Sequence, residues 1–87
     1  MATYVLGLDG GTESLRARVF DLSGRSIGDH AAPYSTEFPA PGHAEQNPSD
    51  WWAAAGIATR AAIAASGVDP ADIAALACDT TSCTVVA

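Results

Sequence analysis

The feature that most constrains the fold is a short apolar run near the N-terminus that ends in a carboxylate and two glycines. Residues 4–8 are mainly apolar, and Asp9, Gly10 and Gly11 follow at once. An apolar run of this length before turn-forming residues is typical of a buried β-strand. Residues 14–21 then alternate apolar and polar side chains, which is the period of a strand with one buried face. We therefore expect an antiparallel hairpin.

The segments that follow give further strand and helix signals. A third strand is predicted within residues 25–34, and a loop with several prolines within residues 37–48. Asn47 and Pro48 are typical of an N-cap and a first helical position, so a helix is expected from Pro48 to about residue 66, with Gly67 as its stop.

The last third of the chain predicts two more strands. Asp69 and Pro70 repeat the start signal for a short helical turn. Residues 73–78 are apolar and favour a strand buried on both faces, and residues 84–87 resume a strand pattern. Three strands, a crossover helix and a further strand indicate an α/β protein with a mixed sheet.

Length and charge exclude several classes of function. The chain has 87 residues, enough for one small domain, and 48% of them are hydrophobic, which argues against disorder. Its formal net charge is -6, with four arginines and no lysine. Binding to nucleic acid or to an anionic membrane surface is therefore not expected, because both need clustered cationic side chains.

The cysteines and the N-terminus indicate a cytoplasmic protein with reduced thiols. Cys78 and Cys83 are too few for the disulfide framework of a small secreted domain. The first eight residues contain no basic segment of the kind that opens a signal peptide. Since His30 and His43 are distant in sequence, we do not expect a zinc site.

The first candidate site is the turn of the predicted hairpin. Asp9 could hold Mg²⁺ directly or through water, since this ion prefers oxygen ligands. Gly10 and Gly11 would let the backbone and its N–H groups approach an anion closely, and Thr12 and Ser14 offer hydroxyl groups. An ordinary hairpin turn also explains the Asp-Gly-Gly sequence, because these residues are common turn formers.

The second candidate segment precedes and opens the predicted helix. Capping explains Asn47 and the proline after it. It does not explain Glu45 and Gln46, nor the adjacent Trp51 and Trp52, which a helix directs to different sides.

The third candidate segment follows the apolar strand at residues 73–78. Five of the six residues 79–84 carry a hydroxyl or carboxylate group that could bind a polyol. Ligands in mixed α/β sheets often lie beyond strand ends. A plain polar connection is the alternative, and Cys83 has no visible partner base that would make it a nucleophile.

Together the three segments resemble the FGGY family of carbohydrate kinases. Residues 6–21 look like a phosphate-binding hairpin that actin, the heat-shock chaperone ATPases and the sugar kinases share. Residues 41–52 look like the family's Glu-Gln-Asp-Pro-x-x-Trp-Trp stretch, with Asn47 in place of the aspartate. Residues 79–86 resemble the substrate segment of the ribulokinase-like branch, and they lack the Gln-Arg-Glu pattern of glycerol kinases and the Gln-Met-His pattern of xylulokinases.

The resemblance implies a fold, an activity and a domain assignment. The fold would be a ribonuclease H-like mixed sheet, with residues 1–87 as an incomplete N-terminal domain and the remainder of the kinase absent. The activity would be ATP-dependent phosphorylation of a sugar hydroxyl, with a ketopentose such as ribulose as substrate. The isolated chain is expected to be inactive, and the full-length protein could be a homo-oligomer. The alternative is a non-enzymatic, actin-like ATP-binding or scaffold module.

The resemblance also implies roles for individual residues. Asp9 would organise Mg²⁺, and Thr81 and Ser82 would lie where relatives contact the sugar. Glu13 departs from the hydroxyl residue common in glycerol kinases. No catalytic residue is expected within the chain, because the family's general base lies far downstream. The residues expected near the phosphates of ATP are Gly11, Thr12, Ser14 and Arg16.

Overall fold

Four strands and one long helix make up the described part of the protein. The computed structural model describes residues 2–81 and residue 86. In chain order the elements are β1 (Tyr4–Gly10), β2 (Ser14–Asp21), β3 (Ser26–Pro33), α1 (Pro48–Ser66), a 3₁₀ turn (Pro70–Asp72) and β4 (Ile73–Thr80). This order confirms the sequence prediction. The strand predicted over residues 84–87 lies, except for residue 86, outside the described residues.

The strands form one mixed sheet in the order β3-β2-β1-β4. β1 pairs antiparallel with β2, β2 pairs antiparallel with β3, and β1 pairs parallel with β4. The predicted antiparallel hairpin is therefore confirmed. The parallel pair needs a crossover connection, which α1 supplies.

The core lies between α1 and one face of β2 and β3. Ala17 and Val19 are fully buried there, as the alternation in β2 predicted. The helix contributes small residues at a spacing of four, which lie on one face because of the 3.6-residue period. The buried residues of this core are Leu6, Ala17, Val19, Ala32, Ala54, Ala58 and Ala62.

A glycine in β3 allows the helix to approach the sheet closely. A Cβ atom at Gly28 would lie 2.5 Å from the Ala62 carbonyl oxygen and 2.7 Å from the Ser66 backbone nitrogen. Both contacts are with backbone atoms, so the helix could not avoid them by a side-chain rotation. The thin alanine face of α1 and this glycine together set the distance between helix and sheet.

Both ends of α1 are where the sequence predicted them. The Asn47 side chain accepts a hydrogen bond from the Ser49 N–H at 2.9 Å. Gly67 ends the helix in a left-handed conformation, with φ of 71°, and its N–H donates to the Ala64 carbonyl. Within residues 2–81, no helix combines the length and the apolar character that crossing a membrane requires.

The expected burial of β4 on both faces is wrong for the described residues. β4 lies at the edge of the sheet, and its residues are exposed from the second position onward. Leu76, for example, is 57% exposed. The physical reason is the placement of α1, which packs mainly over β2 and β3 and leaves β4 largely uncovered.

Candidate functional site

The sheet brings the first and third candidate segments together. Because β1 and β4 are parallel, their carboxyl ends are adjacent, with Asp9 opposite Asp79 and Gly10 opposite Thr80. The Thr81 N–H donates to the Gly10 carbonyl at 3.2 Å. The start of the predicted sugar segment therefore contacts the predicted phosphate turn directly. Ser82, the other predicted sugar residue, lies outside the described residues.

Gln46 joins the second segment to the same turn. Its side-chain Nε2 donates to the Thr12 carbonyl oxygen and to the Thr36 hydroxyl, each at 2.7 Å. Its Oε1 accepts a hydrogen bond from the indole Nε1 of Trp51 at 3.0 Å. The residue that capping could not explain thus ties the loop before α1 to the β1–β2 turn.

The neighbours of Gln46 also have defined positions. Glu45 pairs with Glu37 through two backbone hydrogen bonds of 2.7 and 2.8 Å, which close the loop on itself. Trp51 is half-buried, whereas Trp52 is 83% exposed. The two tryptophans therefore point to different sides of the helix, as expected.

Tyr34 is a site residue that the sequence analysis missed. Its hydroxyl donates to the carbonyl oxygens of Gly11 and Ser14, and its backbone N–H donates to the Glu13 carbonyl at 3.0 Å. Burial raises the pKa of the Tyr34 phenol, and the negative charge of Asp9 raises it further. No local sequence pattern signals this role, because the partners are 20 or more residues away.

The turn itself is tight at both of its glycines. The Gly11 N–H donates to the Ser14 carbonyl at 2.9 Å and so closes the hairpin. A Cβ atom at Gly10 would lie 3.1 Å from the Thr80 hydroxyl of the neighbouring strand. Glycine at position 10 therefore helps the end of β4 to lie close to the turn.

Arg16 pairs with a carboxylate on β3. Its Cα lies opposite that of Asp9 in the hairpin register, but its guanidinium contacts the Asp29 carboxylate. Arg18 reaches the same carboxylate, with its Nε 3.9 Å from Oδ2. All three side chains are about half exposed, so the cluster is screened by solvent and contributes little stability.

Two clefts flank the carboxyl ends of β1 and β4, one on each side of the sheet. A helix-side cleft of about 510 Å³ is lined by residues that include Gly10, Gly11, Tyr34, Gln46, Trp51 and Thr81. An open-face cleft of about 260 Å³ is lined by residues that include Gly7, Asp9, Arg16, Arg18, Phe20 and Asp79. The helix-side cleft joins the turn to the end of β4, and the open-face cleft contains the predicted Mg²⁺ residue.

The residues at this end fit Mg²⁺ in its usual manner of binding. Asp9 is exposed, and Asp79 is its register partner on the adjacent strand, so both carboxylates lie on one face. Among the described residues there is no group of three or more metal-binding side chains. Mg²⁺ commonly takes one or two carboxylates and fills its other positions with water and substrate phosphates.

Comparison with solved structures shows the structural class of the protein. The chain superposes on the crystal structure of gluconate kinase from Lactobacillus acidophilus with a TM-score of 0.82, over 92% of this chain and 16% of that chain. The sequence identity is 21%, so this likeness shows the fold alone. The expected α/β class, the ribonuclease H-like mixed sheet of the sugar kinases, is confirmed.

Sequence comparison then defines the family. Residues 4–87 match the N-terminal domain of the FGGY family of carbohydrate kinases, and the chain belongs to that family. It is 38% identical to a ribulokinase of Geobacillus thermodenitrificans over 95% of this chain and 17% of that protein. It is 40% identical to a glycerol kinase of Thermococcus gammatolerans over 87% of this chain and 15% of that protein. The chain thus spans less than a fifth of either relative.

Proposed function

We propose that this chain forms part of the N-terminal domain of an ATP-dependent carbohydrate kinase. The observation that carries the proposal is the meeting of three segments at one end of the sheet. The β1–β2 turn, the loop that contains Gln46 and the end of β4 are joined there by the hydrogen bonds to Thr12 and Gly10. Membership of the FGGY family supports the same assignment.

The turn is the proposed binding site for the phosphates of ATP. Gly11, Thr12 and Ser14 would approach them, since glycine admits close backbone contact and the hydroxyl groups can donate hydrogen bonds. Asp9 would hold Mg²⁺, which neutralises charge on the phosphates when it is bound. Arg16 would have to leave Asp29 to reach them, and its half-exposed side chain permits that movement.

The sugar would bind next to the turn, beyond the end of β4. Thr81 and Ser82 are the proposed contacts, and Thr81 lies at the helix-side cleft. A ketopentose such as ribulose is the narrower proposal, supported by the ribulokinase similarity. A triol is the second candidate, because the glycerol kinase is as similar in sequence.

The proposed reaction transfers the γ-phosphoryl group to a sugar hydroxyl. The hydroxyl oxygen forms a bond to the γ-phosphorus, the bond to the β-phosphate oxygen breaks, and ADP leaves. The hydroxyl proton passes to a general base outside residues 1–87. The chain's own residues would position the phosphates and the sugar, and positioning with charge stabilisation accounts for most catalysis in phosphoryl transfer.

A non-enzymatic ATP-binding module is the competing function. The hairpin alone favours neither function, because the actin-like proteins share it. The Glu45–Trp52 stretch favours the kinase, since it resembles the family motif and closes on the turn through Gln46.

Titration of the ¹⁵N-labelled chain with MgATP tests the phosphate site. We expect the backbone amide signals of residues 10–14 to shift, with weak affinity, and the shifts to shrink when a chelator removes Mg²⁺. Asp9→Asn should remove this dependence on Mg²⁺, because the amide is a poor ligand for a hard cation.

Asp69→Asn is the matched control, because it removes the same charge from an exposed residue that caps the 3₁₀ turn. It should leave the titration unchanged. Shifts that fall elsewhere on the chain, or an Asp9→Asn variant that responds like the unaltered chain, would contradict the proposed site.

A further inference from the structure

Three successive carbonyl groups of the β1–β2 turn accept hydrogen bonds from one neighbouring segment. The Gly11 carbonyl accepts from the Tyr34 hydroxyl, the Thr12 carbonyl from Gln46 Nε2, and the Glu13 carbonyl from the Tyr34 backbone N–H. The three carbonyl oxygens of the turn, which carry partial negative charge, therefore point toward the segment that runs from Tyr34 to Gln46.

Peptide geometry fixes where the N–H groups of the turn must point. In a trans peptide the C=O and the following N–H are coplanar and point in opposite directions. When the carbonyls of Gly11 and Thr12 face the loop, the N–H groups of Thr12 and Glu13 face away from it. Within residues 2–81 neither of these N–H groups donates to another group of the chain. The turn thus presents two backbone donors on its outer side, as anion-binding backbone concavities do.

The orientation of the Gln46 amide is determined by its partners. The indole of Trp51 can only donate, so the atom facing it must be the amide oxygen. The amide nitrogen must then face the Thr12 carbonyl, which can only accept. With Thr36 as a second acceptor, every polar atom of the side chain has a partner.

We propose that Gln46 is a positioning residue for anion binding by the turn. Its Nε2 holds the Thr12 carbonyl toward the loop and thereby keeps the Glu13 N–H directed outward. A phosphate oxygen on the outer side of the turn would meet the N–H donors of Thr12 and Glu13. If the peptide between Thr12 and Glu13 were rotated, it would present the Thr12 carbonyl oxygen to the phosphate instead. The inference rests on the proposed function, because the anion is taken to be a phosphate of the nucleotide.

Gln46→Glu tests this role with little change of shape. The carboxylate still accepts from the Trp51 indole but cannot donate to the Thr12 carbonyl. Near neutral pH we expect displaced amide signals at Thr12 and Glu13 and about tenfold weaker binding of pyrophosphate at the turn. Acidification that protonates the introduced carboxyl should partly restore both, relative to the unaltered chain at the same pH.

Thr36→Val is the matched control. It removes the other acceptor of Nε2 and leaves the bond to Thr12 in place, so pyrophosphate affinity should stay within about twofold of the unaltered chain. Equal weakening in both variants, or no weakening in Gln46→Glu, would overturn the positioning role. Absence of any pyrophosphate response in the unaltered chain would instead contradict the proposed phosphate site, so the two failures are distinguishable.

The unaltered chain offers an independent measurement if a variant fails to fold. The sequence contains one glutamine, so the side-chain amide signals of Gln46 can be assigned by residue type. Hydrogen exchange at the Gln46 amide should be about tenfold slower than in a free glutamine side chain. Exchange at the free rate would overturn the inference.

Discussion

A single carboxylate oxygen organises the turn between β2 and β3. Asp21 Oδ1 accepts from the Ser23 N–H at 3.0 Å, from the Ser23 hydroxyl at 2.6 Å and from the Arg25 N–H at 3.0 Å. Gly24 lies within the turn with φ of 88°, a conformation that glycine adopts without strain. These hydrogen bonds hold the pKa of Asp21 below its ordinary value of 3.8, and the bond from the Ser23 hydroxyl has the largest effect.

The lowered pKa predicts how this turn responds to acid. Because the folded state favours the charged carboxylate, its contribution to stability is complete above pH 3.8 and is lost as the pH falls through the lowered folded pKa. Asp21→Asn keeps an oxygen acceptor but has no charge to lose. We expect the melting temperatures of the two proteins to differ at neutral pH and to converge as the pH falls toward about 2.

A calorimetric series over this pH range checks the prediction. Asp69→Asn serves as the control, because Asp69 also bonds a backbone N–H but caps a different turn. A difference in melting temperature that stays constant from neutral to acid would show that the Asp21 charge does not stabilise the turn.

At the scale of elements, the contact between α1 and β3 sets a strict limit on side-chain size. Helix and strand backbones meet at Gly28, where no side chain fits. Gly56 lies on α1 itself, and a Cβ atom there would meet only the flexible guanidinium of Arg60, at 3.2 Å or more. The two glycines therefore serve different purposes, and the same substitution should have opposite effects at them.

Gly28→Ala should destabilise the protein by about 1–3 kcal/mol, since the helix must move away from the sheet. Gly56→Ala should stabilise it by about 0.5–1 kcal/mol, because alanine has the higher helix propensity and the Arg60 side chain can move aside. Urea unfolding followed by circular dichroism measures both changes. An unaltered midpoint for Gly28→Ala would show that helix and sheet are not in close backbone contact.

The elements that the sequence predicted well are those with local causes. Asn47, Pro48 and Gly67 define the helix because capping acts between residues close in the chain. The β1–β2 hairpin followed from an apolar run, the turn-forming residues after it and the alternation of residues 14–21. The exposure of β4 could not be predicted, because its apolar sequence is typical of a buried strand. Its exposure depends on where α1 packs, and the local sequence of β4 does not reveal that.

The residues of the candidate site also differ in how far the sequence alone could reveal them. Asp9 and the two glycines could be singled out from their position after an apolar strand. Gln46 was noticed because capping left it unexplained, but its partners came only from the structure. Tyr34 carried no signal, since its bonds to the turn depend on how β3 ends beside β2.

At the scale of the whole molecule, the apolar side of β4 and its outer edge are exposed in the described part of the chain. Leu76 and Trp52 line a groove beside α1, and among the strands of residues 2–81 β4 pairs with β1 alone. The unpaired N–H and C=O groups of an exposed edge strand can pair with another chain, so the isolated protein is prone to self-association. Light scattering should therefore accompany every assay of the isolated protein.

Kinase activity itself is expected only when the rest of a kinase is present. The chain spans 17% of the ribulokinase it resembles, and in the proposed mechanism the general base lies outside residues 1–87. We expect no sugar-dependent ADP release from the isolated 87 residues. We expect such release from a chimera in which this chain replaces the matching segment of the Geobacillus thermodenitrificans ribulokinase.

The most direct test of the kinase assignment is the turnover number of that chimera with and without Asp9. The chimera should release ADP in a sugar-dependent manner. Asp9→Asn should lower kcat about a hundredfold or more at saturating MgATP, because the amide lacks the carboxylate charge with which Asp9 is proposed to order Mg²⁺ at the phosphates. Asp69→Asn should leave kcat unchanged. A folded Asp9→Asn chimera that turns over as fast as the unaltered one would contradict the account.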